Sequence, residues 1–199
     1  MRILLPVLSL LVPAAAAAFE VMPAAGYAFG GSFEAGDNAD VDLDETAVLA
    51  LSLRMRPNAG QEWELCYSRQ ATAVGASVAG GSPAFDVDVE YLQLGGSYFP
   101  TRRDFAPYVL GGLGIARFTP DLAGPGSRSK FALSLGLGVR LPVAANVAFR
   151  LEGRGFLTFA DTDAAFFCSS DESGGACLIK ASGSTVWQVQ MLLGFAVTF

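Results

Sequence analysis

From Phe131 to Leu141 the chain alternates without interruption. Phe131, Leu133, Leu135, Leu137, Val139 and Leu141 share one parity; Ala132, Ser134, Gly136, Gly138 and Arg140 share the other. Successive side chains of a strand point to opposite faces, so this segment reads as a strand with one apolar face. The same pattern puts Val147, Phe149 and Leu151 opposite Arg150, Glu152 and Arg154. It puts Ala47, Leu49, Leu51, Leu53 and Met55 opposite Ser52 and Arg54, and Trp63, Leu65 and Tyr67 opposite Glu62 and Glu64. Two segments break parity. Val87 and Val89 disagree with Leu92, Leu94 and Tyr98, while Tyr108 and Leu110 disagree with Leu113 and Ile115 across Gly111-Gly112. A β-bulge in each would restore an apolar outer face, and glycine commonly marks one.

Short turns and long polar stretches take turns along the chain. Pro57, Pro100 and Pro142 are spaced 43 and 42 residues apart, and each opens a short turn. Polar or Gly-rich stretches separate them at about 32–45, 71–84 and 119–129, with a fourth at about 160–183. The breaks leave eight strands, an even number, with both chain ends on the short-turn side. That is the layout of an outer-membrane barrel whose short turns face the periplasm.

Composition decides the solvent. Hydrophobic residues make up 52% and charged residues 16% of the 199, with 23 glycines. An ordinary soluble domain carries roughly 25% charged residues. Beyond the first residues no apolar run reaches the roughly 20 residues of a spanning helix. Lipid accepts only helices and closed barrels, so the hydrophobicity must lie in alternating strands. The inward parity holds glycine, serine and a few Arg and Glu, which suits an interior that side chains must fill at about eight strands. Trp63, Tyr98, Tyr108, Phe149 and Phe199 fall near the periplasmic ends and read as an aromatic girdle. The predicted fold is therefore all-β: an eight-stranded antiparallel up-and-down transmembrane β-barrel.

Arg2, the apolar stretch Ile3–Val12 and the small residues Ala14–Ala18 read as a signal peptide cleaved after Ala18. The expected division is a signal peptide over 1–18 and a barrel domain over 19–199, exported to the cell outer membrane. Removing Arg2 leaves 12 basic against 19 acidic residues, a mature charge of about −7, which argues against nucleic acid as a partner.

Three cysteines remain. Cys168 and Cys177 flank a polar segment and, in an oxidising compartment, read as a disulfide, whereas Cys66 lies within a strand and reads as a free buried thiol. The chain has no histidine, which removes Ser-His-Asp chemistry and most general-base catalysis. An outer-membrane enzyme is the least supported reading. No metal or cofactor is expected: two cysteines do not complete a zinc site, and the acidic runs Asp40-Asp42-Asp44 and Asp86-Asp88-Glu90 lack the glycine turn of a calcium loop.

The candidate site is the set of inward charges. A three-residue turn would place Arg54 opposite Glu62, and a five-residue turn opposite Glu64. Around the third turn, Gly138 and Gly136 would face Arg150 and Glu152, leaving room for long side chains. Arg140 and Arg154 complete an Arg/Glu network in the lumen. Paired charges either plug a barrel or gate a narrow pore, and pairing alone does not choose between them.

The last strand carries the most specific motif. Met191, Leu193, Phe195, Val197 and Phe199 alternate to a terminal phenylalanine, with Gly194 five residues before it. Gly194, Phe195, Val197 and Phe199 look like the assembly signal of outer-membrane proteins. Gly26-Tyr27-Ala28-Phe29-Gly30-Gly31, Pro107–Gly114 and Leu151-Glu152-Gly153-Arg154 add recurrent pieces. The chain resembles the OmpA-like/porin-like family of small outer-membrane barrels over its whole mature length. It departs from OmpA in having no periplasmic peptidoglycan-binding domain, so a tether to the cell wall is not implied. The resemblance implies a structural or surface-interaction protein, or alternatively a narrow gated porin. The expected partners are outer-membrane lipids, lipopolysaccharide, the barrel-assembly machinery and periplasmic chaperones, around a monomer.

Overall fold

Eight long strands pair in a ring, each antiparallel to both neighbours, and the ring closes on itself. A computed structural model describes residues 18–35, 39–58, 60–76, 85–101, 105–121, 127–159, 165–169, 176–180 and 185–199. Twelve strands lie among them: β1 (Ala18–Gly30), β2 (Ser32–Ala35), β3 (Ala39–Leu43), β4 (Thr46–Asn58), β5 (Gln61–Ala76), β6 (Phe85–Tyr98), β7 (Ala106–Pro120), β8 (Arg128–Ala144), β9 (Val147–Phe159), β10 (Ala165–Ser169), β11 (Ala176–Lys180) and β12 (Thr185–Thr198). No described residue is helical. The ring runs β1, β4, β5, β6, β7, β8, β9, β12 and back to β1. The predicted leader lies outside the described residues except for Ala18, where β1 begins.

Two of the predicted long loops contain hairpins. β1 ends at Gly30-Gly31, where φ values of 72° and 109° require residues without a side chain, and the chain leaves the wall there. The hairpin β2–β3 follows, and β3 then pairs with β5 above the point where β4 begins. β10 and β11 form a separate two-stranded hairpin.

Alternation sorts the wall into two faces. Leu49, Leu51 and Leu53, Trp63 and Leu65, Leu133, Leu135 and Leu137, and Leu193 and Phe195 are exposed, while their alternate neighbours are buried. An exposed apolar band around a closed barrel is a surface made for lipid. Trp63, Tyr98, Phe149 and Phe199 stand on that outer face near the short turns.

The two expected bulges are absent. The β6 register against β5 and β7 is continuous, as is that of β7 against β8. Val87 and Val89 point inward and Asp86, Asp88 and Glu90 outward, because this end of β6 stands above the apolar band. Tyr108 and Leu110 also point inward, so Tyr108 belongs to the interior and not to the girdle. The irregular registers lie instead at two turns, between Met55 and Asn58 and between Pro142 and Ala144.

Candidate functional site: the charged lumen

Two turns set the positions of the inward charges. The β4–β5 turn places Arg54 opposite Glu64, one of the two predicted facings, but not through a five-residue turn: β4 runs to Asn58 and β5 begins at Gln61, with the register shifting between Met55 and Asn58. The irregularity lets Arg56 reach Glu62. The β8–β9 turn places Gly138 opposite Glu152, Gly136 opposite Arg154 and Arg140 opposite Arg150. This is two residues away from the predicted facing of Gly138 with Arg150, because the strands run on past Pro142 before they turn. The space above Gly138 therefore takes the ring of Tyr108, its partner on β7; a Cβ there would run into that ring.

The charges form two tiers. In the tier nearer the short turns, one Nη of Arg150 lies 2.6 Å from Glu20 and 2.9 Å from both oxygens of Glu62. Arg56 donates to Glu62 from outside this pair, and Arg140 stands 3.7 Å from Glu20. The guanidinium of Arg150 also lies over the rings of Tyr108 and Phe99, at 5.2 and 5.7 Å from their centroids, in reach of a cation–π attraction.

In the second tier Arg54 donates to Glu64 at 2.7 Å and to Glu152. Arg154 donates to Glu64 at 3.0 Å and to Glu152 at 3.1 Å. Tyr108 donates its hydroxyl to Glu152 at 2.5 Å. Arg54 ties the tiers together, 3.8 Å from Glu20. Arg54, Arg150 and Arg154 are no more than 2% exposed and rank among the largest fully buried side chains. A buried guanidinium is tolerated only when carboxylates surround it, and here each has at least two.

Above the second tier the interior turns polar, then aromatic. Ser52, Cys66, Ser68, Gln93 and Gln190 are buried there, and Gln93 accepts a hydrogen bond from Ser134 at 3.2 Å. Tyr91 and Phe156 stack with centroids 4.1 Å apart, and Gln188 donates to Gln70 across the lumen at 2.8 Å.

Sequence reasoning missed Glu20, Arg56 and Tyr108. Glu20 lies on the inward parity of β1 with Met22 and Ala24, so extending alternation to the first strand would have found it. Extending the parity of Leu113 and Ile115 back through Gly111 would likewise have placed Tyr108 inside. Gly194 points inward against Met22, whereas Phe195 and Phe199 face outward. The backbone of Phe199 donates to the Phe19 carbonyl at 2.7 Å. On the outer hairpin, Cys168 and Cys177 are cross-strand partners; the bond between their side chains lies outside what the structure describes. Cys66 is buried and free.

A closed antiparallel barrel with an apolar outer band, whose charges at the level of that band turn into the lumen, is an integral membrane barrel. The chain belongs to the outer membrane protein β-barrel domain family, whose model matches residues 3–197. It is a protein of the outer membrane. The crystal structure of Neisserial surface protein A is similar, with a TM-score of 0.63 at 19% identity over 92% of this chain and 99% of that one. AlkL in lipid bilayers is similar at a TM-score of 0.58, with 14% identity over 91% and 90% of the two chains. OprG of Pseudomonas aeruginosa gives 0.54, with 16% identity over 90% and 95%. At these identities the likeness is one of fold. No curated protein matches the chain.

Proposed function

We infer that this protein is an outer-membrane barrel with a filled lumen, serving a structural role or interactions made by its outer hairpins and wall. The observation that carries the reading is the two-tier plug. Arg54, Arg150 and Arg154 lie between Glu20, Glu62, Glu64 and Glu152, all buried, and their ion pairs bridge β5 and β9 from opposite sides of the ring. Catalysis has no support from the side chains, which include no histidine. The partners that fit are outer-membrane lipids and lipopolysaccharide along the wall, with the assembly machinery and periplasmic chaperones before insertion. For those last two, the outward row of Phe195, Val197 and Phe199, with Gly194, is the recognition element, and export rests on the leader.

A narrow gated pore is the second reading. It is favoured by the Ser68 hydroxyl and the amide oxygens of Gln188 and Gln190, which are buried with no hydrogen-bond partner among the described residues. Such groups ordinarily hold internal water. Planar-bilayer recording separates the two. For the filled lumen, the protein inserts without discrete current steps, and Arg54→Ala with Glu152→Ala creates them. Discrete steps from the unaltered protein, abolished by the same substitutions, would overturn it.

A further inference from the structure

One row of residues on the outer wall runs across four strands as Trp63, Gly96, Gly111 and Leu135. Neighbouring strands lie about 4.8 Å apart, so the two glycines leave a bare width of sheet between an indole and a leucine. A groove of about 390 Å³ lies there, walled by Trp63, Tyr98, Val109 and Leu135 and floored by Gly96 and Gly111. On the other side of Trp63 a second groove, of about 280 Å³, lies against Phe19, Val21, Leu53, Met55 and Leu65. Trp63 is thus a ridge between two apolar grooves.

Its height is also defined. Gln61 opens β5 at the short turn, and Trp63 follows two residues later, about 7 Å along the strand. Aromatic side chains with a polar tip settle at that depth, where hydrocarbon gives way to headgroups. The indole N–H has no hydrogen-bond partner among the described residues. A donor there faces the layer in which lipid ester carbonyls lie.

We propose that the two grooves hold the two acyl chains of one phospholipid of the periplasmic leaflet, astride Trp63, whose N–H donates to an ester carbonyl. The occupant follows from continuity. Both grooves are stretches of the same exposed apolar wall, and lipid covers that wall. A single-chain amphiphile fills one groove and leaves the other. The proposal rests on the barrel crossing the outer membrane and is independent of whether the lumen conducts.

Substitutions that fill or lower a groove can be chosen without touching the sheet. A Cβ at Gly111 meets nothing nearer than the Ser134 carbonyl at 3.5 Å, an ordinary contact, so Gly111→Leu fills the first groove from its floor. Gly96 is unsuitable, because a Cβ there presses on the Glu62 carbonyl. Leu135 is 75% exposed, so Leu135→Ala lowers one wall without opening a cavity inside the barrel.

The test is native mass spectrometry of the whole folded protein from micelles, with dioleoylphosphatidylethanolamine or its single-chain lyso form added. The expected result is one diacyl lipid per barrel, retained at collision energies that strip the lyso form. Gly111→Leu and Leu135→Ala should each lower that retention at least fivefold, and Trp63→Phe should lower it less. Retention unchanged in both groove variants would overturn the proposal. So would equal retention of the lyso form, or a saturating species with the mass of two barrels. Current recording on the same variants remains a separate readout of the lumen.

Discussion

Glu152 takes three donors at once: Arg54, Arg154 and the Tyr108 hydroxyl. Its removal leaves Arg154 on Glu64 alone and Arg54 on Glu64 with the more distant Glu20, in an interior already holding five arginines against four glutamates among the described residues. Breaking a buried pair strands a charge and costs about 3–5 kcal/mol. Glu152→Gln should therefore lower the urea midpoint of the folded barrel strongly. Arg69→Gln, in the exposed pair with Asp88 on the outer face, should hardly move it. The double change Arg54→Met with Glu152→Leu removes charge from both sides and should recover much of the loss. Equal midpoints for Glu152→Gln and Arg69→Gln would mean that water reaches the plug. Which of these charges lie inside was legible in the sequence, because Arg54, Glu62, Glu64, Arg150, Glu152 and Arg154 sit at alternate positions against leucines and aromatics. Which charge meets which was not, because register depends on turns whose length the residues leave open.

Strands that cross the apolar band with small or charged inner residues announce themselves. β4, β5, β8 and β9 all do so. β6 and β7 do not, for two different reasons. The outer end of β6 rises above the lipid, so its outward positions carry Asp86, Asp88 and Glu90 and the valines turn in. β7 supplies bulk to the lumen through Tyr108, Leu110 and Phe118, so apolar character appears on both of its faces. A bulge was the wrong remedy in each case; the solvent changed along one strand and the filling changed along the other. The hairpin β10–β11 lies inside a predicted loop, where the sequence predicts no strand, and it sets Cys168 opposite Cys177. Directly opposed residues of antiparallel strands have Cα atoms about 4.5–5.5 Å apart, within the range a disulfide spans. Protein from an oxidising compartment should therefore show Cys168 and Cys177 bridged. The short loop they close places the stabilisation at the lower end of about 2–4 kcal/mol. Maleimide labelling of the folded, unreduced protein should modify none of the three cysteines, and reduction should expose two. Labelling of Cys168 and Cys177 without reductant would remove the bridge, and labelling of Cys66 would contradict its burial.

The molecule as a whole depends on one seam. Seven of the eight ring pairings join strands that follow one another around the wall, and the eighth joins the first strand to the last through β1 and β12. Until that seam forms, two strand edges are open, and open edges recruit other chains. Gly26 sits in the seam opposite Leu192, and a Cβ on it would collide with the backbone carbonyl of Met191. Backbone oxygen in a paired strand has nowhere to move without breaking the pairing. Gly194 lies in the same seam, but a Cβ there meets the Met22 side chain, which is flexible and can swing aside. The two glycines should therefore part company when substituted. Gly194→Ala should still give the compact form that migrates anomalously on gels when unheated. Gly26→Val should give little of it, running at its heated position and forming oligomers through the unsealed edges. Gly111→Leu, on the unbroken wall away from the seam, should behave as the parent. If Gly26→Val closes as readily as Gly194→Ala, the approach of β1 to β12 is looser than the register requires.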